Sequence, residues 1–272
     1  MGFHIIYDDG VDEVKLIEES PNTSRVSMLV RIAEAVYTDT KELLMGMKYA
    51  TESAKTSCPS IEDYLQVIER VAENNDVYIV TLSSSLSASY SVALQAMDRY
   101  KEEHPNANIC VFDSLSATAG ETRVVLEILL KAEQLSFNSM HDYIKEYIRN
   151  YTTLFVIDNL DNLIKNGRLG AVEGCILKFA KIKFVGYASR DGEIKVLHKA
   201  FGLKAAYNKL FADVRHEIKA DDIVVISNCQ ADALSNKLKN DLVSRGCHNV
   251  YMASARLITG VYGNAGSIEV SW

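Results

Sequence analysis

Proline is scarce in this chain, three among 272 residues, and glycine contributes only 14. With 48% hydrophobic and 24% charged residues, that composition excludes a collagen-like repeat and an intrinsically disordered chain, and leaves enough apolar material for a sizeable core. Cysteine is sparse and unpaired in pattern: Cys58, Cys110, Cys175, Cys229 and Cys247 are odd in number and form no CxxC. A disulfide framework and a zinc knuckle are therefore excluded, and the thiols suit a reducing, cytoplasmic setting. The six histidines are dispersed without an HExxH or similar spacing, so no metal or other cofactor is expected.

Basic charge is also lacking. Lys and Arg total 29 against 36 Asp and Glu, a net charge of −7, and no Lys/Arg run offsets it locally. Nucleic acid and anionic membrane surfaces are poor partners for such a chain. No apolar stretch approaches the roughly 18 residues that span a bilayer, and the opening MGFHIIYDDG is not a basic segment leading into a long apolar one. Neither membrane insertion nor a secretory signal is expected.

What is present is a repeating order of buried strands and amphipathic helices. Phe3 to Tyr7 is a short β-forming run closed by Asp8-Asp9-Gly10. The next fifty residues carry no clear period. Ser60 to Glu73 spaces Ile61, Leu65, Ile68 and Ala72 as a helical stripe, and Val77 to Leu82 is a compact apolar run of the kind a doubly buried strand shows. A helix over about 88–102, a strand over 108–112 and a helix from about 122 to 134 continue the alternation, which predicts a parallel sheet with helices on its faces. A further helix is expected over 141–150 and a strand over 153–157. Beyond it, strand-like runs at 182–188 and 192–197 flank Ser189-Arg190-Asp191-Gly192, a hairpin signal. Helices over 203–218 and 231–245 and strands at 223–227, 250–253 and 267–270 follow. The fold class is thus α/β, with an N-terminal parallel-sheet domain over 1–151 and an α+β domain over 152–272. Gly260 to Gly266 reads as a flexible glycine-containing segment before the last strand.

Four clusters could carry chemistry. Ser83, Ser84, Ser85 and Ser87 sit between a buried strand and a helix, where free N–H groups and hydroxyls together suit an anion, although one serine there is also an ordinary helix cap. A nucleophilic serine has no GxSxG and no spacing that nominates a base. In Thr56-Ser57-Cys58-Pro59-Ser60, Pro59 and Ser60 are explained by a helix start, which leaves Thr56 and Ser57 over. Lys165-Asn166-Gly167-Arg168-Leu169-Gly170 offers either an arginine fork for a carboxylate or a surface arginine beyond a helix end. Tyr262, among the late glycines, is either a core aromatic or a hydroxyl donor.

Taken in order, TSCPS at 56–60, SSSLSAS at 83–89, VFDS at 111–114 and NGRLG at 166–170 resemble the T-S-Q-P-S, S-S-x-L-S-G-T, V-x-D-S and G-G-R-[IL] segments of the DegV family of bacterial fatty-acid-binding proteins. The resemblance implies a two-domain, non-enzymatic carrier with a ligand cavity at the domain junction. One long-chain fatty acid would be held there and presented to a fatty acid kinase. It implies a head-group site at Thr56, Ser57, Ser84 and Ser87, with Arg168 and Tyr262 beside it. The chain departs from the pattern in four places. Ala88 stands for a glycine, Asn166 stands for the first glycine of G-G-R, and Tyr262 stands where H-x-G-P-G has its histidine. His198 to Gly202 also lacks the arginine that the pattern places before a helix. Two other readings of the serine turn are a serine-dependent hydrolase or transferase, and a binder of a small phosphorylated molecule.

Overall fold

The computed structural model describes residues 2–38, 54–169 and 182–272. The chain runs β1 (Gly2–Asp8), α1 (Lys15–Glu18), β2 (Thr23–Val26), β3 (Leu29–Ile32), β4 (Ala35–Tyr37), β5 (Ala54–Ser57), α2 (Ile61–Val71), β6 (Asn75–Thr81), α3 (Ser89–Glu103), β7 (Ile109–Asp113), α4 (Thr118–Lys131) and α5 (Phe137–Asn150). It continues with β8 (Thr153–Val156), α6 (Asp161–Lys165), β9 (Ile182–Ala188), β10 (Ile194–Phe201), α7 (Leu203–Glu217), β11 (Val224–Asn228), α8 (Asp232–Ser244), β12 (Val250–Ser254), α9 (Leu257–Gly263) and β13 (Ile268–Ser271).

The first sheet is parallel throughout, in the order β2-β1-β6-β7. Its central strands β1 and β6 are buried over most of their length, with apolar runs at Ile5–Tyr7 and Val77–Val80, because both faces are covered. Ile6, Val77 and Ile79 point to α2 and α3, where they meet Tyr64, Ile68, Ala93 and Ala96. Ile5, Tyr7, Tyr78 and Val80 point to the opposite face, onto Val124, Ile128, Met140 and Ile144 of α4 and α5. Helix α2 starts where Pro59-Ser60 predicted: the Ser60 hydroxyl accepts from the Asp63 N–H at 3.2 Å, and the Asp63 carboxylate accepts from the Ser60 N–H at 2.8 Å.

The second sheet has the order β10-β9-β8-β13-β11-β12, and only β11 and β12 run parallel. The hairpin signal at Ser189 to Gly192 is the β9–β10 turn, with Gly192 at φ +72°. Helix α4 packs on β11 and β13 of this sheet as well as on β1 and β6 of the first, so it is shared between them. Backbone hydrogen bonds also cross between the two halves, from Glu13 to Ser254 and back at 2.9 and 3.0 Å.

Two expectations need correction. The stretch without a clear period contains a third, antiparallel sheet, β4-β3-β5, which escapes a periodicity search because β5, Ala54-Lys55-Thr56-Ser57, has no apolar alternation. The late glycine-containing segment is largely helical: α9 buries Leu257, Ile258 and Val261 against Met28, Val30 and Leu82. Gly170 and Cys175 lie outside the described residues. Among the described residues no helix is long and apolar enough to cross a membrane.

Candidate functional site

The third sheet and α9 roof over a cavity of about 310 Å³ between the two larger sheets. The turn after β6, the residues before α4, the end of β8, the β9–β10 hairpin and the start of β13 all contribute to its wall. Much of that wall is apolar, built from Leu82, Leu86, Phe155, Ile157, Leu163 and Ile268 among others.

Of the nominated residues, Thr56, Ser57, Ser87, Arg168 and Tyr262 all line this cavity, although they are 206 positions apart at the extremes. Thr56 Oγ1 and the Tyr262 hydroxyl are 2.7 Å apart. A hydroxyl pair spends one proton on itself and keeps one, so the pair retains a donor for a ligand. The Ser87 oxygen accepts from the Ser89 N–H at 3.2 Å, which orients the hydroxyl without using its proton. Arg168 is exposed; its Nε donates to the Leu86 carbonyl at 3.1 Å and its Nη1 to the Asn166 carbonyl. The arginine therefore ties the 165–169 turn to the serine turn. The positive φ of that turn falls on Gly167, at +68°, while Asn166 has an ordinary φ of −97°. The Asn166 amide instead donates to the carbonyls of Ala54 and Asn162, at 3.1 and 2.7 Å, which anchors β5 to α6.

Ser84 does not line the cavity. It is exposed, and its N–H donates to Asp113 Oδ1 at 3.1 Å. The serine cluster is thus divided among separate tasks. Ser83 and Ser85 donate to the carbonyls of Gly192 and Asp191 at 2.9 and 2.6 Å, gripping the β9–β10 turn. Ser89, behind them, donates to Asp8. None of these hydroxyls is hydrogen-bonded to a histidine among the described residues, and the Ser89 hydroxyl that meets a carboxylate is itself buried.

Sequence reasoning missed a group of buried carboxyls beneath the cavity. Asp8, Asp12 and Glu121 are fully buried, and Glu269 lines the cavity itself. Asp8 accepts from the N–H groups of Gly10 and Leu82, at 2.9 and 3.2 Å, and from Ser89. No donor reaches either oxygen of Glu121, which lies beside Asp8. Burial, and then the adjacent charge of Asp8, push its carboxyl well above the usual range. Burial raises Asp12 to about 6, against the opposing pull of its bonds from Ser227, the Arg256 N–H and Thr259. Glu269 is raised to about 8, again chiefly by burial. The signal that exists for Asp8 is its place after an apolar strand.

These shifts fix the sign of a pH effect. Each of these acids has a folded pKa above its unfolded one, so the folded chain retains protons that the unfolded chain releases above about pH 4. Stability is expected to fall as pH rises from about 4 to about 8, with Asp12 acting up to about 6 and Glu269 up to about 8. Urea titrations of the wild type and of Glu269→Gln between those pH values test this. The variant should show a shallower decline than the wild type up to about pH 8, the remainder coming from the other raised acids; parallel curves would contradict the assignment.

A family model described as "Uncharacterised protein, DegV family" matches residues 3–272. A DegV domain-containing protein of Streptococcus gordonii is 34% identical over 252 residues, covering 89% of this chain and 88% of its own. Among solved structures, a DegV family protein of Ruminococcus gnavus refined with vaccenic acid superposes with a TM-score of 0.90 at 29% identity, covering 99% of both chains. The Fatty Acid Kinase (Fak) B3 protein of Streptococcus pneumoniae, loaded with linoleic acid, gives 0.89 at 27% identity, covering 100% of this chain and 99% of that one.

Proposed function

The chain belongs to the DegV family, and from that membership we propose that it is a non-enzymatic carrier holding one long-chain fatty acid in the cavity between its sheets. The observation that carries this reading is a largely apolar cavity with a hydroxyl group of Thr56, Ser57, Ser87 and Tyr262 on its wall. Two relatives of matching fold, at 29% and 27% identity, hold vaccenic and linoleic acids.

In this reading the carboxylate accepts hydrogen bonds from Ser87 and from the one proton that the Thr56–Tyr262 pair keeps, with Ser57 at the rim and Arg168 holding the turn together. Neutral donors bind a carboxylate without the desolvation that a fully buried ion pair would cost. The acyl chain lies along the apolar wall, where each buried methylene contributes about 0.8 kcal/mol, so affinity comes mainly from the tail and orientation from the head. Delivery to a fatty acid kinase is supported by the likeness to the Fak B3 protein. The cytoplasm is the compartment we assign, in line with free Cys58, Cys110, Cys229 and Cys247. We also divide the chain into domains at 1–151 and 152–272; the backbone pairing of Thr152 with Trp272, at 2.9 and 3.0 Å, opens the second sheet.

Native mass spectrometry of protein purified from bacterial cells tests the reading. A mass increment matching one fatty acid is expected, and protein that stays apo after incubation with palmitate or oleate would overturn it. Thr56→Ala and Ser87→Ala should each weaken binding by about 1–3 kcal/mol, measured by calorimetric titration. Unchanged affinity in both would place the head group elsewhere.

A further inference from the structure

One group in the cavity has no use for an unmodified acyl chain. Glu269 lies on β13, an interior strand of the six-stranded sheet, directly between Phe155 of β8 and Ser227 of β11. All three residues line the cavity, so an acidic side chain interrupts the surface along which a hydrocarbon would lie. Its carboxyl meets one hydroxyl, that of Thr118, whose geometry stops short of a full hydrogen bond. The neighbouring polar side chains are already engaged, since Ser227 and Thr259 both donate to Asp12. Among the described residues, Arg168 is the one Lys or Arg that lines the cavity, and two of its donors are taken by the carbonyls of Leu86 and Asn166. Among the described residues, Glu269 is therefore neither paired with a cation nor given a full hydrogen bond by a side chain.

Glu269 is half-buried in the ligand-free protein; covered by methylene groups its carboxyl would lose its remaining hydration and gain nothing in return, whereas facing a hydroxyl or carbonyl oxygen it would regain a hydrogen bond. Sites that present an unpaired polar group discriminate strongly against ligands that leave it unpaired. We propose that Glu269 is a specificity-determining residue which hydrogen-bonds an oxygen function carried on the acyl chain away from its carboxylate, so that the cavity prefers an oxygenated long-chain fatty acid over the plain acid. With its pKa raised to about 8, the side chain is mainly neutral at pH 7 and offers both an O–H donor and a carbonyl acceptor, the complement of a ligand hydroxyl. This inference rests on the fatty-acid reading above and adds the ligand class to it.

The test is a calorimetric comparison, on the full chain, of stearic acid with a set of hydroxystearic acids that differ only in the position of the hydroxyl. At least one member is expected to bind about tenfold tighter than stearate, the gain of one hydrogen bond to an otherwise unsatisfied group. Glu269→Leu should invert the order, strengthening stearate and weakening the preferred hydroxy acid, while Glu269→Gln, which keeps a neutral donor and acceptor, should preserve it. Equal or weaker binding of every hydroxy acid would overturn the inference, as would an unchanged ratio in Glu269→Leu. Should the leucine variant fail to fold, the wild-type series and the glutamine variant still decide: a glutamine variant without the preference also contradicts the role. Stearate binding without any preference sinks this inference alone. Failure of the wild type to bind any member sinks the fatty-acid reading with it.

Discussion

Replacing Ala188 with tryptophan is expected to abolish fatty-acid binding while leaving the fold in place. Ala188 ends β9, is half-buried, and lines the cavity with Phe155 and Ile194. An indole in that position occupies space the acyl chain would fill. Excluding even about five methylenes forfeits about 4 kcal/mol, roughly a thousandfold in affinity. Because the side chain projects into an existing cavity at a strand end, little of the packed core has to move. Titration with oleate reads the loss, and a thermal melt of the ligand-free protein within a few degrees of wild type shows that the fold survives. A variant that binds oleate as the wild type does would show that the acyl chain does not run past β9.

The second large effect is on stability. Asp12→Ala is expected to cost about 3–5 kcal/mol, read from urea unfolding near pH 7. Asp12 is fully buried in the connection after β1, and its carboxylate accepts from the Arg256 N–H at 2.9 Å, from Thr259 Oγ1 at 2.7 Å and from Ser227. Those three donors belong to the start of α9 and to β11, so one side chain of the N-terminal half fastens two elements of the C-terminal half. Alanine strands all three donors in the interior. Asp12→Asn keeps an acceptor oxygen and should cost less, which separates lost hydrogen bonds from lost charge. A cost below about 1 kcal/mol for alanine would mean that water or a rearranged Arg256 replaces the carboxylate. Since α9 also carries Tyr262, the Asp12→Ala variant should bind fatty acid more weakly than the wild type.

Strands β1, β6 and β7 of the first sheet were legible as short apolar runs such as Val77 to Val80, while its edge strand β2, Thr23–Val26, was not, because only Val26 of it is buried. The hairpin at Ser189 to Gly192 was legible through its turn residues, and α2 through its cap. The small sheet was not, because its strands owe their pairing to long-range partners and not to their own pattern. Glycines near the end suggested a mobile segment, yet α9 is held by core contacts of Leu257, Ile258 and Val261 that outweigh the intrinsic helix cost of glycine.

For the site, the residues alone left helix caps, a surface arginine and a core aromatic as equal readings; the resemblance of the ordered motifs to the DegV pattern nominated Thr56, Ser57, Ser87, Arg168 and Tyr262, and all five reach one cavity. Ser84 was indistinguishable from its neighbours in sequence; only the path of the turn sends its N–H to Asp113. Glu269 is the sharper case. Alternating with Ile268 and Val270, it reads as the solvent side of a strand, but β13 lies inside a six-stranded sheet, and the face it shares with Phe155 and Ser227 borders the cavity.

The sequence by itself therefore determined which strands are central and where α2, α3, α7 and α8 begin, because burial pattern and capping are local properties of the chain, whereas α4 and α5 begin earlier, at Thr118 and Phe137, than their apolar periods indicate. Only the tertiary structure decided that two sheets and a small antiparallel roof enclose a cavity, and that a carboxyl lies within it. Those facts depend on which distant segments face one another, and no local period records that.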